Sequence, residues 1–217
     1  EHDTFDAVVV TVPLAVLAAS DIRFEPALAP SREAAVAGLD TGLLNKCVLR
    51  FERPAWPANV DWIEWLGPQD GQWWQWLSLQ RSAAQPVLVA FHGGQAAVEL
   101  EALDDAATLD AATAALRAMF GSRFPAPLAA QVTRWSRDAH ARGAYSFNAV
   151  GSDAATRLAL AGADWDGVLQ FAGEACSADY FGTTHGALLA GRKAAARLLR
   201  GPLEGREKLP VGVPTSG

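Results

Sequence analysis

The sequence lacks the features that would place it on a membrane, a nucleic acid or a metal. No apolar run reaches the ~20 residues a membrane-spanning helix needs. Lysine and arginine number 18 against 24 aspartates and glutamates, for a net charge of −6. The basic residues are scattered, which argues against a nucleic-acid footprint or a polybasic membrane stretch. Two cysteines, Cys47 and Cys176, make no disulfide framework and suit a reducing, cytoplasmic compartment. With four histidines, they are too far apart for the short ligand spacings of a metal site. No Gly-x-Ser-x-Gly elbow is present. Also absent is a Gly-x-Gly-x-x-Gly turn after a strand, the usual device for holding a dinucleotide pyrophosphate.

What is present is enough apolar material for one large domain or two small ones: 217 residues, half hydrophobic, with eight tryptophans. The most informative stretch is 168–200. Val168 to Ala172 is a short apolar run that predicts a buried strand. Leu188, Leu189, Ala195, Leu198 and Leu199 share one side of a helix that Gly201-Pro202 ends. Between them lies a turn carrying Gly173, Glu174, Gly182, Thr183, Thr184 and Gly186. Strand, small turn and helix bring backbone N–H groups and a positive helix end against an anionic or electron-rich ligand, and glycines let it touch the main chain. The same spacing also suits an ordinary strand-to-helix turn.

Earlier in the chain, Phe5 to Pro13 is a β-branched run that predicts a parallel strand buried on both faces. Ser31 is a candidate N-cap for a helix over 32–39. Residues 43–51 alternate, with Asn45, Cys47, Leu49 and Phe51 on one face and Leu44, Lys46, Val48 and Arg50 on the other. Strands are expected over 61–66, 72–79, 87–91 and 131–135, and a helix over 104–120 closed by Gly121. Strands followed by a helix, without βαβ alternation, predict an α+β layer. The Pro- and Gly-rich stretch 205–217 is expected to be disordered.

Six segments carry a resemblance. Phe171-Ala172-Gly173-Glu174-Ala175, followed by Gly182-Thr183-Thr184-His185-Gly186-Ala187 and Gly191-Arg192, resembles the C-terminal FAD segment of the flavin-containing amine oxidases. That family includes monoamine oxidases, polyamine oxidases and flavin-dependent histone demethylases. Thr11 to Leu14, Ile22 to Leu28, Leu44-Asn45-Lys46-Cys47-Val48-Leu49, Arg134 to Asp138 and Arg142 to Phe147 are similar to further family segments. The resemblance implies a mixed α/β and α+β fold, the C-terminal portion of a Rossmann-like FAD-binding domain plus a substrate-binding domain with a mixed or antiparallel sheet. Its divisions are residues 1–13 as a strand of the FAD domain, 14–140 as the substrate domain, 141–204 as the rest of the FAD domain and 205–217 as a tail. Without a dinucleotide turn, the chain is expected to be the C-terminal section of a longer polypeptide and inactive alone.

The implied reaction is oxidation of a small-molecule amine to an imine by hydride transfer to flavin N5, with O2 reoxidising the cofactor and giving H2O2. Partners would be the amine, O2 and the remainder of the parent polypeptide, with no nucleic acid, membrane or metal. Lys46 matches the family's catalytic lysine, which holds a water against flavin N5; alone it would read as an edge charge. Glu174 and Gly173 match the segment at the ribityl-phosphate part of FAD. Thr183 and Thr184 open the helix aimed at the N1–C2=O edge and would also cap it. Trp135 would lie beside the ring and Tyr145 would form one wall of an aromatic cage, which attracts a cationic amine. Thr183 replaces the tyrosine of the second wall. His140 stands at a position that is often aromatic in relatives and could touch substrate, though an exposed loop histidine is the preferred reading. Ala144 replaces the cysteine of covalently flavinylated relatives, so FAD is expected to bind non-covalently. Competing readings are an L-amino-acid oxidase, with Arg50 or Arg81 facing a carboxylate, and a non-catalytic binding module.

Overall fold

The computed structural model describes residues 2–69, 71–200 and 209–212. The chain forms two compact units, Glu1–Thr41 with His140–Gly217, and Gly42–Ala139. Among the described residues no helix is long and apolar enough to cross a membrane.

In the first unit, strand Val8–Val10 runs parallel to Leu169–Phe171, with Val8 opposite Leu169 and Val10 opposite Phe171. Ala163–Asp164 pairs antiparallel on the other side. The expected parallel pairing is there, but burial on both faces is not. Val8–Val10 is an edge of this three-stranded sheet, and Val9 is 37% exposed. Leu169–Phe171, in the middle, is buried throughout. Helices Leu14–Ala18, Pro30–Ala37, Ala154–Leu160 and Thr184–Arg200 supply the remaining core through Leu14, Ala35, Leu160, Ala190 and Ala194. Residues 14–41 therefore pack with this unit, and the contact boundary falls at Thr41 rather than after residue 13.

Two local expectations are corrected here. Ser31 caps nothing: the second helix begins at Pro30, whose ring presets the first helical φ, with Ala29 as the N-cap. Leu209–Gly212, inside the stretch expected to be disordered, pairs antiparallel with His2–Phe5; residues 205–208 and 213–217 lie outside the described residues. Helix Ala154–Leu160 escaped the periodicity reading because it is two turns long. Its start is signalled by a reciprocal cap between Asp153 and Thr156.

The second unit is a five-stranded antiparallel sheet in the order Trp62–Glu64, Gln75–Ser78, Val87–Gly93, Leu44–Arg50, Ala129–Val132. Along Leu44–Arg50 the predicted alternation holds: Asn45, Cys47 and Leu49 are buried and Leu44, Lys46 and Val48 half-buried. The buried face packs on helix Asp105–Phe120 through Leu116, Ala112 and Ala115, with Trp76, Phe51 and Trp56 filling the layer. Asp104 caps that helix, accepting from Ala107 N at 2.7 Å. Gly94–Glu101, to which the sequence pattern assigned no element, is a helix entered through Gly94 at φ +53.

Candidate functional site

In an α/β layer, ligands gather where parallel strands deliver their C-terminal ends. Here Val8–Val10 and Leu169–Phe171 both end at a cavity of about 260 Å³, which Thr11, Pro13, Tyr145, Gly173, Glu174 and Ala187 help to line. A site for a whole drug-sized ligand usually needs about 300 Å³ or more. The cavity therefore suits part of a large cofactor.

Gly173 has φ +130, and no atom lies within 4 Å of where its Cβ would sit. It is a glycine for backbone reasons, and it leaves the main chain open beside the cavity. Gly186 is different. A Cβ there would lie 1.9 Å from the Tyr180 carbonyl oxygen, so this glycine serves close packing of the helix start within the chain.

Glu174 is held by its own chain. Its Oε1 accepts from Ser146 N at 2.9 Å; its Oε2 accepts from Ser146 Oγ at 2.8 Å and Gly182 N at 2.5 Å. A carboxylate offers about four acceptor positions, so one on Oε1 remains for a ligand hydroxyl. Gly182, at φ +67, lies against the Tyr145 side chain, and a Cβ there would be 3.5–3.7 Å from it. Tyr145 is 38% exposed. Glu174, Gly173 and Tyr145 thus converge on one cavity.

Thr183 caps the final helix: its hydroxyl accepts from Gly186 N at 3.0 Å and donates to Tyr180 O at 2.6 Å. With that donor engaged, what the turn offers a ligand is the orphan N–H groups of the helix start. Thr184 is the exposed first residue of the helix, and His140 is exposed in a turn. Burial pushes the Cys176 thiol, which also lines the cavity, up to about 11. It is therefore a thiol rather than a nucleophilic thiolate at neutral pH.

Lys46 and Trp135 belong to the second unit. Lys46 extends from the face opposite the core, opposite Phe91 in the register, with Nζ 6.0 Å from the Phe91 ring centroid. Nζ donates to Leu44 O at 3.2 Å, which leaves two N–H donors. Burial draws its pKa below the usual lysine value. Trp135 is fastened to the same strand by Asn45, whose Oδ1 accepts from Trp135 N at 3.1 Å and Thr133 Oγ1 at 3.2 Å. Asn45 Nδ2 in turn donates to buried Glu101 at 2.6 Å, and Glu101 accepts from the Ser136 N–H and hydroxyl. Burial opposes the Glu101 charge, but the Ser136 and Asn45 hydrogen bonds outweigh it and hold its pKa low.

Sequence reading assigned no role to Asn45, Glu101, Ser136, Ser146 or Arg157, and to Gly182 only a place in the turn. Asn45, Ser136 and Ser146 lay inside quoted segments, and only tertiary contacts reveal what they hold. Of the two arginines considered for a carboxylate, Arg81 pairs with Asp61 at 2.9 Å and Arg50 is exposed. Among the described residues no group of His, Cys, Asp and Glu is placed to hold a metal ion.

The chain is 38% identical over 197 residues to probable polyamine oxidase 4 of Arabidopsis thaliana, covering 90% of this chain and 38% of that protein. It is 37% identical over 201 residues to lysine-specific histone demethylase 1 homolog 1 of Oryza sativa subsp. japonica, covering 90% of this chain and 24% of that one. It thus spans well under half the length of these curated relatives. A structure from a redesign of cofactor binding in putrescine oxidase superposes with a TM-score of 0.74 at 19% identity, over 90% of this chain and 43% of the other, which shows a shared fold. Residues 1–199 match the model of the flavin-containing amine oxidoreductases, and with the cavity, its glycine and its anchored glutamate in place, the chain belongs to that family.

Proposed function

We propose that this chain is the C-terminal section of an FAD-dependent oxidase of small amines, with di- and polyamines as the substrate class. The observation that carries the reading is Glu174: clamped by Ser146 and Gly182, beside open Gly173, with one acceptor position left at the cavity. The polyamine preference rests on relatives that are named polyamine oxidases.

The residues fit the cofactor. Gly173 would let it approach the main chain, Glu174 would accept a hydrogen bond from a hydroxyl of its polyol, and the start of helix Thr184–Arg200 would offer N–H groups to its electron-rich ring atoms. When bound, the flavin would supply a hydride acceptor for the carbon next to the amine nitrogen; water would hydrolyse the resulting imine, and O2 would be the final two-electron acceptor, leaving as H2O2. Tyr145 offers an aromatic face to the amine. Lys46, with two donors unspent, orients a water by hydrogen bonding. Trp135 is kept in place by Asn45 and Glu101. Non-covalent binding is favoured because position 144 is alanine and the Cys176 thiol stays protonated. The nucleotide end of the cofactor would be held by residues outside this chain. The L-amino-acid oxidase reading loses Arg81 to its ion pair with Asp61.

The test is a visible spectrum with intact mass, followed by oxygen uptake with putrescine and spermidine. Flavin bands and amine-dependent H2O2 are expected from the full polypeptide. A colourless full polypeptide would overturn the reading. Lys46→Met should leave flavin absorbance intact and lower turnover by about 10²-fold; unchanged kinetics would remove Lys46 from the mechanism.

A further inference from the structure

Arg157 is 0% exposed, yet no carboxylate among the described residues lies within ion-pair distance of it. A buried cation without a direct counter-charge is costly. Its contacts are polar oxygens and one ring. Nε donates to Asn148 Oδ1 at 2.7 Å, and Nη1 donates to Ser146 Oγ at 2.8 Å and Ala175 O at 3.2 Å. Its Cζ sits 3.8 Å from the Phe181 ring centroid. Nη2 is buried with no hydrogen-bond partner among the described residues.

The Ser146 hydroxyl has one proton. Because Oγ accepts from Arg157, that proton is directed to Glu174 Oε2. The guanidinium thus reaches the carboxylate through one hydroxyl, its attraction less weakened by distance in a buried setting than it would be in water. The same side chain ties together strand Tyr145–Asn148, the turn carrying Glu174 and the loop before Gly182.

We propose that Arg157 is a positioning residue of the flavin site, orienting the Ser146 hydroxyl so that Glu174 keeps a fixed carboxylate with its unspent Oε1 position available to the cofactor. This rests on reading the cavity as the flavin site. Arg157 itself does not line the cavity.

A double-mutant cycle on flavin affinity separates positioning from plain stability. The FAD dissociation constant of the full polypeptide is measured by absorbance titration for wild type, Arg157→Met, Glu174→Gln and the double variant. Arg157→Met is expected to weaken binding about tenfold with Glu174 present and less than about twofold in the Glu174→Gln background. Arg157→Lys, which keeps the charge without the fork, should fall between wild type and Arg157→Met. Losses that multiply would overturn the proposal. If Arg157→Met fails to fold by circular dichroism, the cycle of Ser146→Ala with Glu174→Gln decides the matter, since Ser146→Ala removes the bridging hydroxyl and leaves the guanidinium in place. Coupling there supports the proposal, and additivity overturns it. A full polypeptide without flavin bands overturns the flavin reading and this inference with it; a flavin-binding one with additive losses overturns the inference alone.

Discussion

Acidification from pH 6.5 to pH 4 is expected to destabilise the unit containing His92 by about 3 kcal/mol. His92 lies on strand Val87–Gly93, 2% exposed, and its Nε2 accepts from Trp73 N at 3.1 Å. The Trp73 backbone is left-handed there, at φ +55, and its ring meets the imidazole edge-on at 4.4 Å. Protonation would end the Nε2 acceptor role and bury a charge, and burial pushes the His92 pKa from 6.5 down to about 4. Above pH 6.5 the ring is neutral folded or unfolded. Between 6.5 and 4 only the unfolded chain takes up the proton, so stability falls as pH falls, by about 1.4 kcal/mol per pKa unit. Below about 4 both states carry the proton and the loss is complete. Urea unfolding followed by tryptophan fluorescence, at several pH values across this range, measures the loss. His92→Gln keeps an acceptor for Trp73 N–H without a titration, so the acid-limb slope should flatten by up to one proton relative to wild type. An identical slope in the two proteins would refute the reasoning.

Asp164→Asn should cost about 3–5 kcal/mol in urea unfolding, because it strands the Arg32 guanidinium, 3.1 Å away at 3% side-chain exposure, beneath the Phe171 ring. Glu25→Gln breaks a pair exposed by 87% and 79% and should change nothing measurable; equal effects would sink the argument from burial. Gly186→Ala should lower the thermal midpoint and flavin content together, since the Tyr180 main chain cannot move aside as a side chain would, at a cost of about 1–3 kcal/mol or more. Gly191→Ala, with open space around it in the same helix, should be neutral or stabilising by about 0.5–1 kcal/mol; a reversed order of these two midpoints would contradict the packing argument.

Local chemistry made much of this protein readable from its sequence. The alternation of 44–50, the helix expected over 104–120 and the strand–turn–helix of 168–200 are set by side-chain periodicity and turn residues within a few positions of one another. The family motifs were legible for the same reason, because each is a short contiguous segment. What packs on the faces of Val8–Val10 comes from elements distant in sequence, which its own residues do not encode. The pairing of 209–212 with 2–5 was likewise decided by a partner far along the chain. The site shows the division most clearly. Glu174 and Gly173 were identifiable from their turn. The clamp that aims Glu174, made by Ser146 28 positions back and backed by buried Arg157, exists only once packing brings those segments together. An arginine between apolar residues looks like a solvated face until the fold excludes water around it. After that, hydrogen-bond satisfaction in a low dielectric decides what it does.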